Sequence, residues 1–273
     1  MASVSSAKSS LPILELQELA INITALDLKP GVITVDLLKM SGVIPADWEL
    51  AQAPLQSEQM VQLTFTNGLN ILSQARRLML LEQTTDKDPS TIQGPAIAQA
   101  YLSKFPHAHY QGLSIAPKIL IGFPDHPQAP QQFITQKLLA PGPWQTLGQE
   151  PLRAALTLNY VLKRCPFSLN IAEVQFKQGP QDAISGLLFT GNFTYALPEP
   201  NPPDPLEYFT HRLSLWQTDV QQFRELLYRK FMGGGVTPQA TAQSTPPPST
   251  PTSNPKPDTI SRSLIDSIFP DLF

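Results

Sequence analysis

The sequence predicts an α+β chain: antiparallel sheet, in one or two pieces, with helices on one face, then a disordered Pro-rich linker and a short C-terminal amphipathic helix. Three observations carry this. Period-two alternation of apolar and polar residues recurs in two separate stretches, which is the mark of half-buried strands. The spacing of three and four that marks a helix is confined to a few intervening segments. Finally, seven of the chain's 29 prolines fall within residues 233–257, and a short apolar segment follows them.

Residues 1–10, MASVSSAKSS, contain no apolar run of the kind a secretory signal needs and are read as a disordered N-terminus. One α+β domain is expected over 11–232, as a β-meander lobe at 11–83 and an α/β lobe at 93–232. In the first lobe Leu19, Ile21 and Ile23 alternate with smaller or polar residues, as do Val61, Leu63 and Phe65. Asn67-Gly68 between alternating runs predicts a type I′ hairpin, so Met60 to Glu82 reads as three strands. Trp48 is expected to pin the preceding connection to the core.

GPAIAQAYLSKF at 94–105 suits a helix with Pro95 in its first turn. YQGLSIAPKILIGF reads as a strand pair, or one strand interrupted at Pro117, and QQFITQKLLA as a helix ending before Pro141. Three strands follow. In the first, Leu156, Leu158, Tyr160 and Leu162 share a face; in the second, the apolar phase slips between Ile171 and Val174, which predicts a bulge or a twist. Both lobes thus carry a strand triplet, although no residue-level repeat relates them.

Asp204 and Pro205 then provide an N-cap and first position for the longest helix, which stops at Gly233-Gly234-Gly235. Its apolar residues Phe209, Leu213, Trp216, Val220, Phe223 and Leu227 step by four and three. Such a seam suits either packing across a sheet or a coil between subunits, and its aromatic residues favour the sheet. The oligomeric state stays open at this level.

Charge and composition exclude several function classes. A net charge of −3 and a pI near 5.8 are unsuited to binding nucleic acid by neutralising phosphates. No apolar run is long enough for a transmembrane helix, and a cytoplasmic location is expected. The single cysteine, Cys165, excludes a disulfide framework within the chain. There is no phosphate loop, dinucleotide fingerprint, HExxH or nucleophile elbow, so no cofactor is implied and nothing asks for an enzyme. The one concentration of metal-ligand types is His107, His109 and, after a strand, Asp125-His126.

Residues 233–257, GGGVTPQATAQSTPPPSTPTSNPKP, hold seven prolines and one charge, Lys256. A segment of that composition cannot offset its ordering entropy by burial and acts as a tether of roughly 25–30 Å. Residues 258–273 reverse the composition. Ile260, Leu264, Ile265, Ile268 and Phe269 would form one stripe of a short helix, with Leu272 and Phe273 as a hook beyond Pro270. A helix this short is marginal alone in water, so it is expected to fold against another protein. The expected function is accordingly a non-enzymatic adaptor or assembly factor. The alternatives are a metal-dependent enzyme at His107, His109 and His126, with the tail for localisation only, and a small-ligand-binding domain between sheet and helices.

Two resemblances concern this tail alone. A Pro/Ser/Thr-rich linker ending in a short amphipathic helix resembles the encapsulation peptides that attach cargo or adaptors to bacterial microcompartment shells. Asp271-Leu272-Phe273 is similar to the end of the bacterial sliding-clamp-binding pentapeptide, whose first two positions are here Phe269 and Pro270. Both imply a protein partner, and neither reaches the folded region.

Overall fold

The computed structural model describes residues 14–85, 87–176, 183–200 and 202–233. Its strands are β1 (Leu16–Ala25), β2 (Leu55–Gln56), β3 (Met60–Thr64), β4 (Leu69–Gln74), β5 (Arg77–Gln83), β6 (Tyr110–Gly122), β7 (Leu156–Val161), β8 (Pro166–Phe176) and β9 (Ile184–Ala196). The helices are α1 (Val35–Met40), α2 (Gly94–Lys104), α3 (Ala129–Gln132, continued by a π-helical turn Phe133–Leu138), α4 (Pro205–Ser214) and α5 (Trp216–Leu226, continued by a π-helical turn Leu227–Phe231).

All nine strands form one antiparallel sheet in the order β2-β3-β4-β5-β1-β6-β9-β8-β7. The two expected lobes are therefore halves of a single sheet, joined where β1 pairs with β6. Each half has the same topology: a strand, a helix, a three-strand meander, and one or two helices. In each, the last meander strand returns beside the first strand of the half, so the order outward from the centre is β1-β5-β4-β3 on one side and β6-β9-β8-β7 on the other. A two-fold axis through the β1–β6 pair would produce this arrangement, so the repeat that residue identities do not reveal is present in the topology.

One face of the sheet carries the core. Leu19, Ile21 and Ile23 on β1, Leu113, Ile115 and Ile119 on β6, and Leu187, Phe189 and Phe193 on β9 are buried. Helix side chains meet this face: Phe133 and Phe231 pack edge-on against Phe189, and Phe223 against Phe167. The opposite face carries half-buried polar residues such as Asn22, Ser114, Thr190 and Asn192, with the Asn22 amide donating to the Ser114 hydroxyl at 3.0 Å. This alternation suits an antiparallel sheet with one packed side.

Local expectations hold in several places. Asp204 caps α4 by accepting from the Glu207 N–H at 2.9 Å, with Pro205 at the first position. Trp48 packs against Phe65 with ring centroids 5.3 Å apart. The seam residues Phe209, Leu213, Val220, Phe223 and Leu227 are buried in the chain's own core rather than offered to a second helix.

Three expectations are corrected. The hairpin after β3 is not type I′, because only Gly68 has positive φ (86°). Gly68 N–H instead donates to Phe65 C=O, and the Asn67 side chain accepts from Leu69 N–H, giving a three-residue loop closed by a left-handed glycine. No bulge interrupts β8: its register with β9 is continuous from Phe167↔Phe193 to Phe176↔Ile184. Val174 instead faces the side away from the core, where Phe176 lies over Gly122 and Gly186. The long helix is two helices that break at Leu215, and Trp216, the first residue after the break, is half-buried against the core.

β6 runs unbroken through Pro117. Pairing with β9 lapses only between Ile115↔Phe193 and Lys118↔Thr190, around the residue that has no N–H to donate. Among the described residues no helix is long and apolar enough to cross a membrane.

At Gly191 α5 lies close on the sheet, since a Cβ there would fall 2.9 Å from the Phe223 ring and 3.1 Å from Phe167. Gly191→Ala should destabilise the fold by about 1–3 kcal/mol through overpacking. At Gly31 nothing lies within 4 Å of the position an added methyl would take. Gly31→Ala should therefore change stability by less than about 0.5 kcal/mol. Urea unfolding of the two variants checks the contrast; equal effects would refute the close approach.

Candidate functional site

The tail residues Ile260, Leu264, Ile265, Ile268, Phe269, Leu272 and Phe273, and nearly all of the 233–257 linker, lie outside the described residues. Residues 1–10 do as well.

The histidines are described, and they do not converge. His107 is exposed in the turn after α2, and His109 is exposed just before β6. His109 is tied to Asp27: its backbone N–H donates to the carboxylate at 3.0 Å, and its Nδ1 lies 3.5 Å from the other oxygen. That backbone hydrogen bond is the main reason the Asp27 carboxyl sits below its usual range. His126 is exposed beyond the other end of β6. Thirteen residues of strand separate the two ends, and at about 3.3 Å per residue that is roughly 40 Å. Among the described residues no group of three or more His, Cys, Asp or Glu side chains is placed to hold a metal.

Two buried carboxylates are the main polar features of the core. Glu82 on β5 is 1% exposed. One oxygen accepts from the N–H groups of Gln93 and Gly94 at the start of α2, at 2.8 and 2.6 Å; the other accepts from Lys87 Nζ at 2.9 Å. The anion thus satisfies orphan donors at a helix N-terminus and fixes α2 on the sheet.

Asp219 on α5 is fully buried. It accepts from the Tyr195 hydroxyl of β9 at 2.8 and 3.0 Å and from Arg164 Nη2 at 2.5 Å, and Arg164 also reaches Gln222 at 2.9 Å. Burial pushes the Asp219 carboxyl upward, while the Tyr195 hydroxyl and the Arg164 guanidinium pull it back. The buried Cys165 thiol is likewise pushed up by burial, which makes it a poor nucleophile. Arg212 completes the group by lying over the Tyr195 and Tyr208 rings, 5.8 and 5.0 Å from their centroids.

A cavity of about 400 Å³ opens where the two halves meet the helix layer. Its walls come from the start of β1 (Glu15, Leu16), the connection from β5 to α2 (Thr84, Lys87, Pro89, Ile92) and one side of α5 (Trp216, Gln217, Val220, Gln221, Arg224). The Thr84 hydroxyl donates to Leu16 C=O at 2.7 Å, which joins two of these walls. Lys87 is held by Glu82 and by Asn67 C=O, both at 2.9 Å. Among the described residues Arg224 makes no ion pair, and its Nε is buried without an acceptor.

Sequence reasoning missed this cavity and both buried carboxylates. Asp219 left a faint signal, an acid three residues after Trp216 and beside Val220 on an otherwise apolar stripe. The cavity left none, because its walls come from segments more than a hundred residues apart.

Asp219→Ala should cost about 3 kcal/mol in urea unfolding, because it strands the Tyr195 hydroxyl and the Arg164 guanidinium. Asp219→Asn should cost less, since its amide oxygen still accepts from Tyr195. Equal losses would refute the anchoring role of that hydrogen bond. No protein-family model matches the chain, and no curated protein matches it.

Proposed function

We propose that the protein is a non-enzymatic adaptor or assembly factor. In this reading the folded body engages one component, and residues 258–273 dock on a partner protein from the end of the 233–257 tether. The observation that carries the reading is the reversal of composition at Asp258: six large apolar residues among the last eleven follow a segment of seven prolines. Each well-buried side chain would contribute about 1.5–3 kcal/mol, against an ordering cost of about 1.5 kcal/mol per residue. The difference suits a weak contact. Tethering strengthens it by raising its local concentration to roughly millimolar.

One edge of the sheet supports a binding role for the body. At the far side of the first half, the sheet ends in the two-residue β2, next to Pro54. At the other edge, β7 presents six uncharged residues, with Val161 92% exposed and Tyr160 36%. An adjacent groove of about 220 Å³, with apolar walls from Tyr160, Phe167, Phe193 and Phe223 and with Glu225, Arg229 and Lys230 also in its lining, would accept a side chain of an added strand. A long edge without charges or Pro is a template for strand addition.

The test compares partners co-purified by the full chain and by two variants of it. Leu264→Asp/Phe269→Asp should abolish capture of the tail's partner, and excess peptide 258–273 should compete for that partner. Val161→Lys should weaken capture of the body's partner while leaving stability unchanged. If the tail variant captures everything the parent does, the tail is not a docking element. Stoichiometric zinc, manganese or iron in the purified protein would count against the non-enzymatic reading.

A further inference from the structure

The cavity between β1, the β5–α2 connection and α5 combines features that point to a small ligand independently of the adaptor reading. Its volume of about 400 Å³ lies at the small end of the range for ligand sites, roughly 300–1,000 Å³. Its apolar walls are Leu16, Ile92, Val220 and the Trp216 ring. Trp216, the first residue of α5 after the break at Leu215, is half-buried there.

The charges around the cavity are unequal in what they leave over. Lys87 is already neutralised by Glu82. Arg224 lines the wall and makes no ion pair among the described residues. Glu15, exposed at the rim, repels any anion, and a doubly charged one about twice as strongly. The group that fits is therefore a single negative charge on an apolar body. Gln217 and Gln221 line the same wall and offer amides to a second oxygen.

We propose that this cavity binds a small monocarboxylic acid with an apolar or aromatic body, its carboxylate on Arg224 and its body between Trp216, Ile92, Leu16 and Val220. The planar guanidinium suits a two-oxygen acceptor. The lining is contributed by both halves of the sheet architecture, so occupancy would also tie α5 to the β5–α2 connection.

The test uses the full chain, with 4-phenylbutyrate as the probe acid and 4-phenylbutanol as its uncharged counterpart. Binding is read from the indole N–H resonance of Trp216, assigned with Trp216→Phe. The acid should shift that resonance saturably with a dissociation constant near millimolar, as expected for so small a ligand. Arg224→Gln should weaken the acid by about ten-fold, and the alcohol should bind the parent more weakly by a similar factor. Arg224→Lys should restore part of the affinity. Arg224 is half-buried and unpaired, so circular dichroism and thermal melting of its variants should match the parent. No saturable shift up to about 10 mM overturns the proposal. So does equal binding by the alcohol, or undiminished binding of the acid by a folded Arg224→Gln variant.

Discussion

The antiparallel pairing of β1 with β6 is the constraint on which the rest of the molecule depends. Ile21 and Ile115 face each other in that ladder, and both are fully buried. Every other strand is added outward from this pair, through β5 on one side and β9 on the other. The helices of both halves pack over it: α2 contacts β1, α4 and α5 contact β6, and α2 meets α4. Without the pair there would be two four- to five-stranded fragments, each with an apolar edge. With it there is a single core large enough to be buried by short helices. Pro117 in the middle of β6 is tolerated because only a short stretch of the β9 ladder lapses around it.

The helix layer is held in two physically different ways. Apolar packing supplies the burial, aliphatic from Leu102, Ile134, Leu213 and Leu227 and aromatic from Phe209 and Phe223, and Phe223 lies against Gly191, where no side chain intervenes. The buried carboxylates supply direction. Glu82 accepts from the first amides of α2, and Asp219 accepts from Tyr195 and Arg164, so each acid fixes one helix at one position on the sheet. Replacing such a group with an apolar one need not lower stability, but removing one partner strands the other. Their contribution is therefore mainly to select one placement of helix on strand. The cavity forms beside these anchors, where α5 is kept from settling further towards β1. The proposed adaptor role and the proposed ligand site draw on separate parts of the chain. The first rests on the tail and the β7 edge, the second on the junction of the two halves.

Much of the fold was legible in the residues themselves. Alternation identified the meander from Met60 to Glu82 and the three late strands, and the cap at Asp204 and the apolar seam identified the last helices. Where local signals misled, a tertiary contact had overridden them. Asn67 avoids positive φ because its side chain serves Leu69 N–H and its carbonyl serves Lys87. The phase change after Ile171 reflects Phe176 packing over Gly122 and Gly186 on the far face, not a bulge.

By itself the sequence determined which residues alternate, which segments are apolar, where charge is absent, and that the chain changes character after Gly233 and again at Asp258. Those are properties of neighbouring residues, set by side-chain periodicity and by the entropy of proline-rich chain. Only the tertiary structure decided which distant segments meet. A straight thirteen-residue strand keeps His109 from His126, although sixteen positions of sequence would have allowed a loop to bring them together. The same pairing of strands brings Glu82 to α2, Asp219 to Tyr195, and Arg224 to the start of β1. Convergence of that kind depends on ladder register and helix placement over long separations, and local periodicity carries no information about either.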